Sequence, residues 1–382
     1  MISHVTRLCR SSFAIPFLIL ASFLPAPDAL QAQTAPRSTK SIVPGPKPPD
    51  APAEWKRFVG SYEYSNNGRY KHTVIILERN QRAFMHSSSG PDEEIHFDLT
   101  APYDYGSGYR RLGFMSVPDP AKGSWSYEIT EEPGTAPYFN YMMEAFVRTD
   151  PGADRAHPFH IKPLHPVNEL RAEALQASPP SESGPFRNPD LVELATLDPA
   201  IHLDIRYASA RNFLSTPVYT QVRAFLQRPA AEALLRVLHK LQPLGYGLLI
   251  HDAYRPWYVT KIFWDATPPE GKIFVADPQK GSKHNRGCAV DLTLYDLATG
   301  RPVEMPGLYD EMSPRSFPNF PGGTSLQRWH RDLLRRAMES EGFTVNEDEW
   351  WHFDYKDWKQ YGILNVPFEK IAVGEQPAAV SH

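Results

Sequence analysis

Apolar residues in the second half of the chain recur at helical spacing in two places. In Ala231–Leu241 they are three or four positions apart, with Pro229 near the start and Pro243 just past the end. Leu326–Glu341 has the same spacing, and Gly342 follows it. Because such spacing puts the apolar side chains on one face, and proline or glycine ends a helix, both stretches are predicted amphipathic helices.

Two further stretches in this half have the pattern of strands. Tyr246–Tyr254 is largely apolar and is predicted to be a core strand, and Ala289–Leu294 alternates between small or polar and apolar residues. Helices and strands are interspersed without the regular βαβ rhythm of a parallel sheet. The pattern therefore predicts an α+β domain.

The first half of the chain has a different pattern of apolar and turn residues. From residue 55 to about 165, short strand-like runs are broken by turn residues, which predicts a small antiparallel β domain. Its polar residues show no recognisable ligand spacing, so its ligand stays unidentified. The predicted strands are His72–Leu77, Ala83–His86, Glu94–Leu99, Arg111–Met115, Trp125–Thr130 and Tyr138–Val147.

Proline is the unusual feature of the composition. The 382 residues include 38 prolines, about twice the usual share of about 5%. Prolines are dense in residues 33–54, which predicts an extended, semi-rigid linker. A second Pro/Ser-rich linker is predicted at 166–189, followed by the α+β domain at 190–372 and a tail at 373–382.

The N-terminus has the pattern of an export signal. Arg7 and Arg10 precede the apolar stretch Ser11–Leu24, and small or polar residues lead to Ala32, a cleavage point for a signal peptide at 1–32. The stretch is shorter than the roughly 20 residues of a spanning helix, although an uncleaved membrane anchor is the alternative. We expect an exported protein, periplasmic or secreted, without stable membrane insertion after cleavage.

Charge and cysteine content narrow the classes of function. Lys and Arg total 40 against 44 Asp and Glu, a formal net charge of -4. This balance argues against a nucleic-acid partner, which normally requires a basic excess. The chain has 2 cysteines, too few for a disulfide scaffold or an all-thiolate metal site.

The segment SKHNRGCAVD contains the first candidate ligands. Gly287 permits a turn between His284 and the strand that contains Asp291. On that strand Asp291 points away from the face of Val290 and Leu292. A carboxylate in a strand with an apolar face is costly unless it is paired or bound to a metal. The turn lets His284 fold back beside Asp291.

The segment EWWH adds a second imidazole and a second carboxylate. Glu349 and His352 are three positions apart, so they share a face in a helix or a tight turn but not in a regular strand. Two imidazoles and the carboxylate of Asp291 are enough to hold Zn²⁺ with an open fourth position. Glu349 is then left over as a general base.

A third segment, DAYRP, offers a cation. Pro256 biases Arg255 towards an extended conformation, so Arg255 projects from the end of its strand. This geometry suits an ion pair with Asp252 as well as a place in an active site.

Residues from about 190 to 370 resemble the D-alanyl-D-alanine dipeptidase family of zinc D-Ala-D-Ala peptidases. The family motif Ser-x-His-x-x-Gly-x-Ala-x-Asp is matched in full at 282–291, and Glu-Trp-Trp-His is matched at 349–352. Tyr-Arg-Pro is matched at 254–256, and Leu203–Ala208 resembles the opening segment of the family. The resemblance implies an antiparallel sheet flanked by helices.

The resemblance also implies roles for individual residues. Its zinc ligands fall on His284, Asp291 and His352, one Zn²⁺ per catalytic domain. The catalytic base falls on Glu349, and the residue that stabilises the transition state falls on Arg255. Candidate substrate-binding residues are Ser282, Tyr254 and Asp310, of which Asp310 matches a family aspartate proposed to hold the free amino group of the substrate.

We therefore expect zinc-dependent hydrolysis of D-alanyl-D-alanine or a similar D-amino-acid dipeptide. Three alternatives stay open. The first is a DD- or LD-carboxypeptidase or endopeptidase acting on peptidoglycan stem peptides. The second is a non-catalytic, zinc-containing cell-wall-binding protein, which needs neither Glu349 nor Arg255. The third is an Fe(II) oxygenase with two histidines and one carboxylate, which has no use for Glu349.

Overall fold

The structure, a computed structural model, describes residues 41–65, 71–88, 90–100, 102–106, 109–119, 123–131, 137–141, 144–149 and 159–371. The predicted signal peptide at 1–32 and the predicted tail at 373–382 lie outside these ranges. Among the helices within them, none combines the length and the apolar character needed to cross a bilayer.

The first part of the described chain is a closed antiparallel β barrel. The strand β1 pairs with both β2 and β9, and β4 pairs with β6, which closes the sheet and removes its edges, while the short β5 pairs with the beginning of β6. The predicted antiparallel β domain is confirmed. Its elements are α1 (Ala53–Lys56), β1 (Gly60–Ser65), β2 (Lys71–Arg79), β3 (Arg82–Ser87), β4 (Glu93–Asp98), β5 (Tyr103–Asp104), β6 (Arg110–Asp119), β7 (Gly123–Glu131), β8 (Tyr138–Tyr141) and β9 (Glu144–Arg148).

Alternating residues of these strands fill the barrel. In β2, Val74 and Ile76 are buried, and Phe139 of β8 stacks on Phe146 of β9 with ring centroids 5.5 Å apart. The prediction of one strand over 138–147 is wrong, because β8 and β9 pair with each other as a hairpin. The strand β1 was not predicted, since its sequence GSYEYS alternates polar residues with only two aromatic ones.

The second part of the described chain is an α+β domain, as predicted. Its five-stranded sheet has the order β11-β13-β14-β16-β15, with β11 and β13 parallel and the other neighbours antiparallel. A separate pair is formed by β10 and β12. The elements are α2 (Val167–Gln176), β10 (Leu191–Glu193), β11 (Ile201–Leu203), β12 (Phe225–Gln227), α3 (Arg228–Leu241), β13 (Tyr246–Asp252), α4 (Trp257–Ala266), β14 (Ala289–Asp296), α5 (Ser325–Glu339), β15 (Phe343–Val345) and β16 (His352–Tyr355).

The predicted helices and strands of this domain are confirmed, with small shifts at their ends. Pro229 lies in the first turn of α3, and Gly245, with φ of +87°, follows a 3-10 turn that continues the helix. The apolar side of α3 is buried in the same core as the apolar face of β14. The strand β13 ends at Asp252 rather than Tyr254, because α4 begins at Trp257 directly after Pro256.

Both segments predicted as linkers contribute to the core of the second domain. Residues 41–52 have no regular secondary structure, yet Ile42 and Val43 pack against this core, and the indole of Trp329 donates a hydrogen bond to the carbonyl of Gly45 at 3.0 Å. The segment 166–189 contains α2, in which Val167, Leu170 and Ala174 are buried. These parts of the two segments are therefore packed rather than free; the domain boundaries themselves stay predictions.

The barrel and the second domain meet where β2 reaches the N-terminus of α5. Leu77 pairs with Gly323 in a parallel bridge, and the fully buried carboxylate of Glu78 accepts a hydrogen bond from the backbone N–H of Ser325 at 2.7 Å. Thr324 and Gln327 form a capping box on the same helix. A carboxylate at this end also complements the helix dipole. The N-terminus of α5 is thus capped from both domains.

Glu78→Ala should destabilise the contact between the two domains. Removing the carboxylate leaves the half-buried N–H of Ser325 without its acceptor, so we expect the free energy of unfolding to fall by roughly 1–3 kcal/mol. Urea unfolding measures this change. The matched control is Glu93→Ala, which removes an exposed carboxylate from β4 of the same barrel. Equal unfolding midpoints for the two variants would contradict the capping role.

Candidate metal centre and active site

A tight turn places His284 beside the strand that contains Asp291. His284 begins a 3-10 turn that ends at Gly287, whose φ is +66°. A Cβ at Gly287 would lie 2.7 Å from a methyl carbon of Leu191, so both the backbone conformation and the available space require glycine here. The chain then enters β14, where Asp291 is buried. The predicted turn is confirmed.

A second turn brings His352 opposite Asp291. The backbone N–H of His352 donates a hydrogen bond to the carbonyl of Glu349 at 3.3 Å, so these two residues lie on one tight turn that leads into β16. In the register of β14 and β16, Asp291 pairs directly with His352. The turn, rather than a strand, allows Glu349 and His352 to share a face.

Three potential ligand atoms converge as a result. Asp291 Oδ1 lies 3.3 Å from His284 Nε2 and 3.1 Å from His352 Nδ1, and the two nitrogens are 3.0 Å apart. Tetrahedral ligands about 2.0–2.2 Å from Zn²⁺ lie roughly 3.3–3.6 Å from one another, close to these distances. Asp291 Oδ1 is also buried without a hydrogen-bond partner among the described residues. The donor set therefore fits a zinc ion.

Hydrogen bonds behind the two imidazoles fix their orientation. His284 Nδ1 lies 2.6 Å from the carbonyl oxygen of Ala253, and His352 Nε2 lies 2.9 Å from Asp354 Oδ1. These contacts assign a proton to the outer nitrogen of each ring and leave the inner nitrogen free to bind a metal. Asp354 was not among the predicted site residues. Its position two residues after His352, on the same face of a strand, is the signal that points to it.

The second oxygen of Asp291 is held by the protein. The hydroxyl of Tyr309 donates a hydrogen bond to Asp291 Oδ2 at 3.2 Å, and Arg255 Nη2 lies 3.7 Å from the same oxygen. Burial opposes ionisation of Asp291, but His284 and His352 hold its pKa well below the ordinary value. Asp291 is thus an anionic ligand with one oxygen anchored and one available.

The charges around His352 favour a cation at the centre. Burial alone would lower the pKa of His352, but the carboxylates of Asp354 and Asp291 outweigh burial and raise this pKa to about 10. The same surroundings that stabilise a positive charge on the ring stabilise a divalent metal ion beside it.

Glu349 lies next to the ligand atoms without belonging to them. Its Oε2 is 3.6 Å from His352 Nδ1 and accepts a hydrogen bond from the Asn346 side chain at 3.0 Å. Burial and the nearby charge of Asp291 raise the pKa of Glu349 to about 7, against the opposing effects of His352 and Asn346. A carboxylate with this pKa can both accept and return a proton near neutral pH.

Arg255 borders the same site in the loop between β13 and α4. Its Nε and Nη2 both lie 2.8 Å from Asp252 Oδ2, and its guanidinium packs over the rings of Tyr207 and Phe263 at 5.4 and 4.7 Å. Burial opposes its charge, but Asp252 outweighs burial and raises the pKa of Arg255. Arg255 therefore forms the ion pair with Asp252 and also lies at the candidate active site, the two positions that the sequence left open.

A cavity of about 230 Å³ opens beside these groups. Ser282 and Asp310 line it, together with Arg255, His284, Asp291, Glu349 and His352. Asp310 has a positive φ of +59°; its Oδ1 accepts a hydrogen bond from the hydroxyl of Tyr207 at 2.9 Å, whereas its Oδ2 is buried without a partner among the described residues. The Oγ of Ser282 accepts a hydrogen bond from the backbone N–H of His284 at 3.2 Å.

The structure does not bring Tyr254 to this cavity. Its side chain is buried in the core of the second domain, and its hydroxyl donates to the carbonyl of Val366 at 3.0 Å and accepts from the N–H of the same residue at 2.8 Å. Tyr254 was predicted to bind substrate because it adjoins Arg255 in the motif, but the chain turns between the two residues. Tyr207, which had no predicted role, occupies the cavity wall instead.

Comparison with known proteins identifies the family of the second domain. The family model described as D-Ala-D-Ala dipeptidase matches residues 187–373. The D-alanyl-D-alanine dipeptidase of Escherichia coli (strain K12) is 35% identical over 179 residues, 47% of this chain and 91% of that protein. The enzyme of the same name from Enterococcus faecalis (strain ATCC 700802 / V583) is 35% identical over 185 residues, 42% of this chain and 90% of that protein. The one from Streptomyces coelicolor (strain ATCC BAA-471 / A3(2) / M145) is 33% identical over 175 residues, 41% of this chain and 87% of that protein. By the length and identity of these matches, the chain belongs to the D-Ala-D-Ala dipeptidase family of peptidases.

Proposed function

We propose that this protein hydrolyses D-alanyl-D-alanine, or a similar D-amino-acid dipeptide, with one Zn²⁺ held by His284, Asp291 and His352. The observation that carries the proposal is the convergence of three buried ligand atoms beside Glu349, a carboxylate that the ligand set does not need. A purely structural zinc site is closed by four protein ligands, whereas a catalytic one keeps a position open. The names of the relatives supply the substrate class.

Zinc fits these donors, and Glu349 beside them favours zinc over iron, because an Fe(II) oxygenase has no use for this carboxylate. Two imidazoles and one carboxylate form a ligand set that zinc hydrolases use. When bound, the ion would polarise the scissile carbonyl and lower the pKa of a water molecule to roughly 7.

Three side chains then transfer the proton, stabilise the transition state and bind the amino group of the substrate. The carboxylate of Glu349 accepts a proton as water attacks the amide carbon, and returns that proton to the nitrogen of the leaving amino acid. The guanidinium of Arg255, positively charged throughout, faces the negative charge that develops on the carbonyl oxygen. The Oδ2 of Asp310, which is buried and has no partner among the described residues, is suited to the ammonium group of the substrate.

The size of the cavity favours a small substrate. Its volume of about 230 Å³ is below the roughly 300–1,000 Å³ of sites that bind drug-sized ligands. A free dipeptide matches a cavity of this size, whereas the rest of a peptidoglycan stem peptide would have to lie outside it.

We also propose that the protein acts outside the cytoplasm, in the periplasm or after secretion. The basic residues and the short apolar stretch before Ala32 support this location. The N-terminal sequence of the protein recovered from a periplasmic fraction tests it, because cleavage removes residues 1–32.

Removal of the metal should abolish hydrolysis. Without a divalent ion the site has no group that activates water, so we expect protein treated with dipicolinate to release no D-alanine and Zn²⁺ to restore the release. Elemental analysis should find about one zinc per chain. Full turnover after complete chelation would contradict the proposal, and iron in the native protein would favour the oxygenase alternative.

Glu349→Gln should lose turnover but keep its metal. The amide cannot accept the proton, so kcat should fall by roughly 10²–10⁴-fold while the zinc content is unchanged. Glu347→Gln, at an exposed position in the same segment, is the matched control and should retain activity. An active Glu349→Gln variant would show that the base is another group. The same assay on Arg255→Lys, which keeps the charge but changes its geometry, tests the role of Arg255.

A panel of substrates should show the preference for free D,D-dipeptides. We expect kcat/KM to be highest for D-alanyl-D-alanine, lower for L,D- and L,L-dipeptides, and low for a stem pentapeptide, because the cavity is small and Asp310 requires a free amino group. Faster cleavage of the stem pentapeptide would assign a carboxypeptidase activity instead. No cleavage of any member, in protein that binds zinc, would favour the non-catalytic alternative.

A further inference from the structure

The cavity has two cationic side chains among the described residues that line it, Arg255 and Lys283. Arg255 is buried and paired with Asp252, and it lies beside Asp291. Lys283 is different, because it lines the cavity with a side chain that is 40% exposed. The mechanism proposed above assigns no task to Lys283.

Lys283 is held in place by two contacts. Its Nζ lies 3.1 Å from Asp354 Oδ2 and 5.6 Å from the centre of the Trp358 ring. An ammonium group has three N–H donors, so the contact with Asp354 leaves two for another acceptor. The position of the charge is thus largely fixed before a ligand arrives, which lowers the entropic cost of using it.

Lys283 and Asp310 are held by elements that lie on the two sides of β14. In the sheet, β13 and β16 flank β14, which contains Asp291. Asp310 is held by Tyr207, whose segment contacts β13, whereas Lys283 is held by Asp354 of β16. Both Asp310 and Lys283 line the cavity, and Asp310 Oδ2 has no hydrogen-bond partner among the described residues.

We propose that Lys283 binds the free C-terminal carboxylate of the substrate and so determines specificity. This inference rests on the proposed function for the identity of the ligand. A free dipeptide carries an ammonium group at one end and a carboxylate at the other, and the cavity lining offers Asp310 for the first and Lys283 for the second. A hydrogen bond between two charged groups is among the stronger ones in proteins. A stem peptide also ends in a free carboxylate, so the inference holds for either substrate.

A second role for Lys283 has to be separated from this one. Asp354 contacts Lys283 with one oxygen and His352 with the other, so the lysine could act on the metal ligand through Asp354 alone. That positioning role would change the affinity for zinc, and it would affect all substrates alike. Recognition of the carboxylate affects only ligands that carry this group.

The test compares D-alanyl-D-alanine with its C-terminal amide in the zinc-loaded, full-length protein. Glu349→Gln serves as the background, so that both ligands stay intact and their dissociation constants can be measured by calorimetry. Adding Lys283→Met, which keeps a long apolar side chain over Trp358, should weaken binding of the free acid by about 10–100-fold and binding of the amide by less than about 3-fold. Lys283→Arg should restore most of the difference.

Lys280→Met is the matched control. Lys280 lies three positions earlier in the same loop, and its side chain is 84% exposed. Its substitution should leave both dissociation constants unchanged. Zinc affinity, measured by competition with a chromogenic chelator, should be the same in the lysine variants and in the parent protein.

Two results would overturn the inference. One is an equal loss for the acid and the amide in Lys283→Met, accompanied by weaker zinc binding, which would assign Lys283 to the support of His352. The other is the absence of any preference for the free acid in the Glu349→Gln parent. If the parent prefers the acid and Lys283→Met loses this preference, but the wild-type protein does not cleave the dipeptide, then the proposed hydrolysis fails and the recognition of the carboxylate stands.

Discussion

The buried carboxylate of Asp291 is the group on which the arrangement of the second domain depends. A charge in the middle of a sheet costs several kcal/mol unless other charges and donors compensate for it. One oxygen is compensated by Tyr309 and Arg255, whereas the other has no donor in the described part of the chain and faces His284 and His352. The turn at Gly287 and the register between β14 and β16 both serve to bring these imidazoles to that oxygen.

Local sequence signals were sufficient for the elements that surround this group. The apolar spacing of α3, the alternation in β14 and the turn at Gly287 are properties of consecutive residues, and the structure shows all three. Such signals are sufficient because a buried face determines the helix and the strand, and the backbone conformation of one glycine determines the turn. The ligand set followed from motifs that put chemically specific residues next to such elements.

The contacts that hold the site residues in place could not be predicted from local sequence patterns. Tyr207 and Asp310 share a hydrogen bond across 103 positions of the chain, so no local pattern connects them. The prediction that Tyr254 binds substrate was wrong for the opposite reason. Tyr254 is adjacent to Arg255 in sequence, but the two side chains point to different surroundings. The proline-rich segments show the same limit, because composition describes the stiffness of a backbone and says nothing about what it packs against.

The contact between Glu78 and the first turn of α5 also has a consequence for the order in which the protein assembles. The two residues are separated by 247 positions, and a ribosome adds roughly 5–20 residues per second, so Ser325 is made roughly 12–50 s after Glu78. The barrel is a closed unit with its own core, so it can fold before Ser325 has been made. The last long helix in the described part of the chain would then meet an acceptor that is already in place, so the order of synthesis favours capping of α5 by a preformed barrel.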